Sequence, residues 1–130
     1  MAIHPATLNV YVKDMGKALA FYRLLGLDIP TNQDNEAHFE ARVESGYALY
    51  FDTEEVARQT NPNWQQPQGQ RLVLAFKADS PNEVNTIYDK VRGAGFTGLR
   101  EPWDAFWGQR YSLLQDADGN RVDVFAVNQQ

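Results

Sequence analysis

The chain has 130 residues, 43% of them hydrophobic and 22% charged, which is the size and balance of one ordinary globular domain with a single core. Seventeen acidic against twelve basic residues give a net charge of −5 without any basic cluster, which argues against nucleic acid and anionic membrane surfaces as partners. Cysteine is absent, so disulfides, thiolate metal sites and a cysteine nucleophile are excluded, and only His4 and His38 offer imidazole.

No apolar run is long enough to span a membrane, and the opening MAIHPATLNV lacks the basic-then-apolar pattern of a signal peptide, so a cytoplasmic protein is expected. The first predicted element is a strand, because Leu8, Val10 and Val12 alternate with more polar residues. A helix follows: Asp14 can accept orphan N–H groups at its start, Ala18, Phe21, Tyr22 and Leu25 form one face, and Gly26 supplies a left-handed stop. Three strand-like segments come next, LDIP, HFEARV and YALYFD. Residues 53–70, TEEVARQTNPNWQQPQGQ, show no sustained period and read as a long loop.

A second strand is predicted around Leu72 to Phe76, followed by a helix with a Ser80–Glu83 capping box, Pro81 in its first turn and Val84, Ile87, Tyr88 and Val91 on its apolar face. Gly93 or Gly95 ends it, and the strands FTGLRE, QRYSLLQ and RVDVFAV complete the chain, the last two joined by the turn DADGN. The two helices superimpose at a constant offset of 66 residues, Ala18 on Val84, Phe21 on Ile87, Tyr22 on Tyr88, Leu25 on Val91, and Asp14 on Ser80. Two amphipathic helices can align by chance, but strand, cap, face and stop repeating together favour an internal duplication of a βαβββ unit.

Such a duplicated chain, with VKDMGKALAFYRLLGL near its start and WGQRYSLLQDADGNRVDVF at its end, resembles the vicinal oxygen chelate superfamily. That group includes glyoxalase I, extradiol dioxygenases, fosfomycin-modifying enzymes and bleomycin-resistance binding proteins. The resemblance implies an α+β fold of two tandem βαβββ modules, residues 1–65 and 66–130, forming a curved eight-stranded cup-like sheet, and a homodimer. It also implies four strand positions for metal ligands, which fall here at Thr7, Tyr50, Val73 and Asp123. Valine cannot ligate, neutral hydroxyls are poor ligands, and one carboxylate is too few for a catalytic site. No metal, cofactor or catalytic residue is therefore assigned.

Counting by twos from those positions, the cup face would carry Thr7, Asn9, Tyr11, Ala48 and Tyr50 from the first module, and Val73, Ala75, Ser112, Asp123 and Phe125 from the second. Trp103, Phe106, Trp107 and Tyr111 crowd the stretch EPWDAFWGQRY, which reads as a loop leading into a strand, and Trp64 lies in the other long loop. These rings either plug a sheet edge or dimer contact, or line the mouth of a site and stack on a ligand. Arg110 can pair with a ligand carboxylate or with Asp123, or be a surface charge. His38, Glu40 and Arg42 share one strand face and read as its solvent side, with Phe39, Ala41 and Val43 packing inward. DADGN is too short for an EF-hand and reads as a hairpin turn.

Asp123 is expected to point into the cup, to be hydrogen-bonded by Thr7, Tyr50, Ser112 or Arg110, and to anchor a donor group of the ligand, while Val122 and Val124 pack under the helices. The resemblance and the aromatic stretch together imply a small-molecule binding protein of the bleomycin-resistance type that sequesters a partly aromatic ligand, with antibiotic resistance as one role. The competing reading is an enzyme, a lyase, isomerase or dioxygenase of the same superfamily, using Asp123 as a base or with a ligand set completed by Glu40 or His4. A third is a regulatory domain whose aromatic loop binds another protein.

Overall fold

In the computed structural model, which describes residue 3, residues 5–42 and residues 48–128, the chain falls into two compact units that divide between Pro67 and Gln68, with Leu24–Gly26 grouped with the second. His4 and Val43 lie outside the described residues.

The first unit begins with β1 (Thr7–Val12), whose Val10 and Val12 are buried. α1 (Met15–Leu24) starts where the Lys17 N–H donates to Asp14 Oδ1 at 3.0 Å, and it buries Met15, Ala18, Leu19, Phe21 and Tyr22. Gly26, at φ +106°, turns the chain out of the helix. The expected strand LDIP does not form. The Arg23 guanidinium claims the Ile29 and Pro30 carbonyls at 2.7 and 2.8 Å, Pro30 has no N–H to give, and a short 3₁₀ turn (Thr31–Gln33) follows. Arg23 also pairs with Asp34 at 2.6 Å, so this segment is a pinned loop.

β2 (His38–Arg42) runs antiparallel to β3 (Ala48–Thr53), and β1 runs parallel to it, giving the sheet order β1-β3-β2. The Tyr22 ring meets the Phe51 ring at 5.0 Å, which places α1 on the Val10–Val12–Phe51 face. The stretch expected to be loop throughout opens with a helix, α2 (Glu54–Thr60), capped by Thr53, whose hydroxyl accepts from the Val56 N–H. Seven residues with one buried position, Ala57, leave too little apolar period to read from sequence.

In the second unit β4 (Leu74–Lys77) starts later than expected, with Leu72 and Val73 exposed ahead of it. α3 (Pro81–Gly93) starts at the expected cap: Glu83 N–H donates to Ser80 Oγ, but the Glu83 carboxylate accepts from the N–H of Asp79, one residue before the position a capping box uses. β5 (Gly98–Ala105), β6 (Gln109–Gln115) and β7 (Arg121–Val127) follow, and the sheet order is β4-β7-β6-β5 with β4 parallel to β7. The expected loop at 101–105 is thus the end of β5. Pro102 is tolerated because β5 is an edge strand whose register shifts between Arg100 and Trp103. In the DADGN turn the Asp116 carboxylate accepts from the Asp118 and Asn120 N–H groups, and Gly119 takes φ +89°.

The architecture is α+β, and among the described residues it contains seven strands in sheets of three and four rather than eight. No helix among those residues is long and apolar enough to cross a membrane.

Candidate functional site

Each sheet has one face covered by its helix and one turned away from it. In the second sheet Val122, Val124, Ala126 and Leu114 are buried on the α3 side, so Asp123, Phe125 and their cross-strand partners Leu113 and Tyr111 occupy the open face, with Ala75 beside Asp123 and Lys77 beside Phe125. Val73 lies ahead of β4 and is exposed, outside the paired register. Ser112 belongs to the other face: it pairs with Val124, is fully buried and donates to the Val124 carbonyl at 2.9 Å. The expectation failed by one residue of register, which in a strand reverses every side chain.

Arg110 is likewise on the α3 side. Its Nε donates to Asn85 Oδ1 at 3.0 Å and its Nη1 meets Asp104 at 3.3 Å, and it lines a cleft of about 330 Å³ with Asn85, Tyr88, Asp89, Glu101 and Pro102. It has no contact with Asp123. Arg121, two residues before Asp123 and so on its face, takes that part.

Asp123 is only 1% exposed and its oxygens are occupied. Oδ1 accepts from Arg121 Nε at 2.8 Å, and Oδ2 accepts from Arg121 Nη2 at 3.0 Å and from the Tyr111 hydroxyl at 2.6 Å. Burial, then the bond to Asp123, pushes the Tyr111 phenol up to about 12, so it remains a donor at neutral pH. The Asp123 hydrogen bond also raises the Arg121 guanidinium. Ser112 and Arg110, expected as partners of Asp123, make none of these bonds.

Around Tyr111 the aromatic residues form one continuous cluster. Trp103 and Trp107 meet Tyr111 edge-on at 5.6 and 5.3 Å, Phe125 stacks on it at 5.8 Å and 21°, and Phe106 meets Trp107 at 5.0 Å. The Arg100 guanidinium lies 3.5 Å from the Trp103 ring centre. Trp103, Tyr111 and Phe125 are half-buried, whereas Phe106, at the hairpin tip, is 96% exposed.

The open face of the first sheet carries Thr7, Asn9 and Tyr11 from β1, Ala48, Tyr50 and Asp52 from β3, and His38, Glu40 and Arg42 from β2, by register. The Thr7 hydroxyl donates to Asn9 Oδ1 at 2.9 Å, and Trp64 meets Tyr11 edge-on at 6.1 Å beneath the Arg58 guanidinium. His38, Glu40 and Arg42 therefore share a face with the expected ligand-binding residues, and they form a network on it. His38 Nδ1 lies 2.5 Å from the buried Asp52 and Nε2 3.0 Å from Glu40, which Arg42 holds at 2.7 Å. The hydrogen bonds to Glu40 and Asp52 raise the His38 pKa above its ordinary value, and the bond to His38 lowers that of Glu40. The period of two in HFEAR and YALYFD carries this signal, but the pairing of His38 with Asp52 depends on the β2–β3 register, which the sequence does not state.

The four positions that would hold a metal do not fit one. Val73 has no donor, Asp123 is bound on both oxygens, the Thr7 hydroxyl is directed at Asn9, and Tyr50 faces Arg42. Among the described residues no group of three or more His, Asp or Glu side chains is arranged to hold a metal ion.

A family model described as the Glyoxalase/Bleomycin resistance protein/Dioxygenase superfamily matches residues 3–124. Among solved structures, a glyoxalase/bleomycin resistance protein/dioxygenase family enzyme from Burkholderia phytofirmans PsJN is 17% identical, with a TM-score of 0.80 over 94% of this chain and 97% of that one. A glyoxalase-related enzyme from Fulvimarina pelagi is 16% identical, with a TM-score of 0.80 over 95% and 87%. Hypothetical protein SA1046 from S. aureus is 17% identical, with a TM-score of 0.78 over 97% and 94%. At these identities the likeness establishes the fold. No curated protein matches the sequence.

Proposed function

Because the chain belongs to the glyoxalase/bleomycin resistance protein/dioxygenase superfamily, we propose that it is a small-molecule binding protein of that fold, which sequesters a partly aromatic ligand on the open face of its second sheet. The observation that carries this reading is the contiguous cluster of Trp103, Phe106, Trp107, Tyr111 and Phe125, partly open to solvent beside the Arg121–Asp123 pair. Rings already ordered against each other lose little entropy when a planar molecule stacks on them. Thr7, Asn9, Tyr11, Tyr50 and Trp64 are proposed as a second set of ligand contacts, on the open face of the first sheet. Sequestration of an aromatic antibiotic is one role this activity would serve. The exposed apolar residues Phe106, Trp107 and Val127 support self-association as a homodimer.

The test is calorimetric titration of a panel of planar aromatic compounds. Trp103→Ala and Trp107→Ala are each expected to weaken binding by about 1–3 kcal/mol while the fold persists. A panel in which no compound binds, or binding that neither substitution alters, refutes the reading.

A second reading, an enzyme of the same superfamily, is favoured by one observation: His38 is oriented by a buried carboxylate, Asp52, as a proton-transfer group would be. Mass spectrometry of the recovered ligand separates the two. Unchanged ligand supports binding alone, and a conversion lost in His38→Gln supports the enzyme.

A further inference from the structure

We propose that Asp123 is a positioning residue that holds Arg121 beside the aromatic cluster, and that the ligand of this face is a planar aromatic anion. The inference rests on the proposed binding function and names its ligand class. It reverses the polarity expected from sequence, in which Asp123 would itself accept from the ligand.

Three observations lead to it. First, Asp123 has no accessible acceptor: its side chain is 2% exposed and its two oxygens accept three hydrogen bonds from Arg121 and Tyr111. Second, those bonds use Arg121 Nε and one N–H of Nη2. Of the five N–H groups a guanidinium carries, those of Nη1 lie outside these bonds, on a side chain that is 36% exposed and has the Tyr111 hydroxyl beside it. A guanidinium clamped along one edge by a carboxylate presents its other donors in a fixed direction, the arrangement that suits a second carboxylate.

Third, the charge on this face runs against that of the whole chain. Lys77 pairs in register with Phe125, Arg100 lies on Trp103, and Arg121 adjoins Tyr111 through Asp123. The acids nearest Arg100 in sequence, Glu101 and Asp104, belong with Arg110 on the α3 side, while Asp79 near Lys77 and Asp118 near Arg121 lie outside the strands. In a chain of net charge −5, the open face of this sheet thus groups three cations with one buried, fully bonded carboxylate. Aromatic walls with an excess of positive charge select a flat ring system bearing a carboxylate or an equivalent anion.

Three probes that share one ring system and differ in charge test this: 2-naphthoate, 2-naphthamide and 2-naphthylmethylammonium, titrated into the full chain while the indole N–H signals of Trp103 and Trp107 are followed by NMR. Naphthoate is expected to bind roughly tenfold tighter than the amide, in keeping with a charge-assisted pair, and the ammonium weakest. Arg121→Lys, which keeps the charge and loses the fork, should remove most of that preference and leave amide binding in place. Asp123→Asn makes the face more positive, so a simple field effect would tighten naphthoate binding, whereas loss of a positioning residue weakens it. Equal affinity for naphthoate and amide, or preference for the ammonium, overturns the inference and leaves the binding function standing. If none of the three probes shifts either indole, both fail. The comparison of probes on the unmodified protein decides the ligand class even if a variant does not fold.

Discussion

The two faces that carry the chemistry hold their carboxylates differently. Asp123 is bonded on both oxygens by a permanent cation and a phenol, whereas Asp52 is bonded by His38, whose charge depends on pH. Folding raises the His38 pKa, chiefly through Glu40 and then Asp52, so the folded chain holds that proton more tightly than the unfolded chain does. The resulting stabilisation is complete below the ordinary value of 6.5 and is lost as pH rises through the folded-state value. Thermal unfolding of the wild type and His38→Gln should therefore show a gap in Tm at about pH 5.5 that closes as the pH rises through the folded-state value. A gap that widens with pH would contradict the assignment. At this scale the sequence was partly legible. Period two grouped Thr7, Asn9, Tyr11 and Tyr50 on one side of the first sheet, and Asp123 and Phe125 on one side of the second, as the registers do. Ser112 was misplaced because alternation fixes a face only once the register with the neighbouring strand is known, and nothing in QRYSLLQ states that register.

Among the elements, those with end signals were the legible ones. Both long helices begin at the predicted cap, and β6 and β7 match their predicted segments to the residue. LDIP misled because a short apolar run reads as a strand whether or not neighbours supply its hydrogen bonds, and here a side chain, Arg23, bonds the carbonyls. The approach of α3 to β5 rests on Gly98. A methyl group there would meet the Tyr88 hydroxyl, lie 2.6 Å from the ring carbon bearing it and 2.9 Å from Arg92 Cδ. Gly98→Ala should cost about 1–3 kcal/mol by urea unfolding, the range for overpacking a fitted contact. Most of that cost should vanish in a Tyr88→Ala background if the tyrosine is the obstacle. An unchanged cost in that background would locate the strain elsewhere.

For the molecule as a whole, the two end motifs disclosed the fold family, because a motif is visible without knowledge of any contact. The proposed ligand class was not visible, since it depends on which cations share a face. Assembly is predicted to follow the exposed hairpin. Light scattering at micromolar concentration should report a dimer, and Phe106→Ser should shift it toward monomer without lowering Tm. A wild type that is wholly monomeric refutes this. The parallel pairing of β4 with β7 has a further consequence during synthesis. A ribosome releases the chain from its N-terminus at about 5–20 residues per second. Leu74–Lys77 therefore emerges well before the strand it must join, and α3 waits with it. Translation stopped short of Arg121 would leave an apolar strand without the sheet neighbour it pairs with, a natural target for chaperones and proteases.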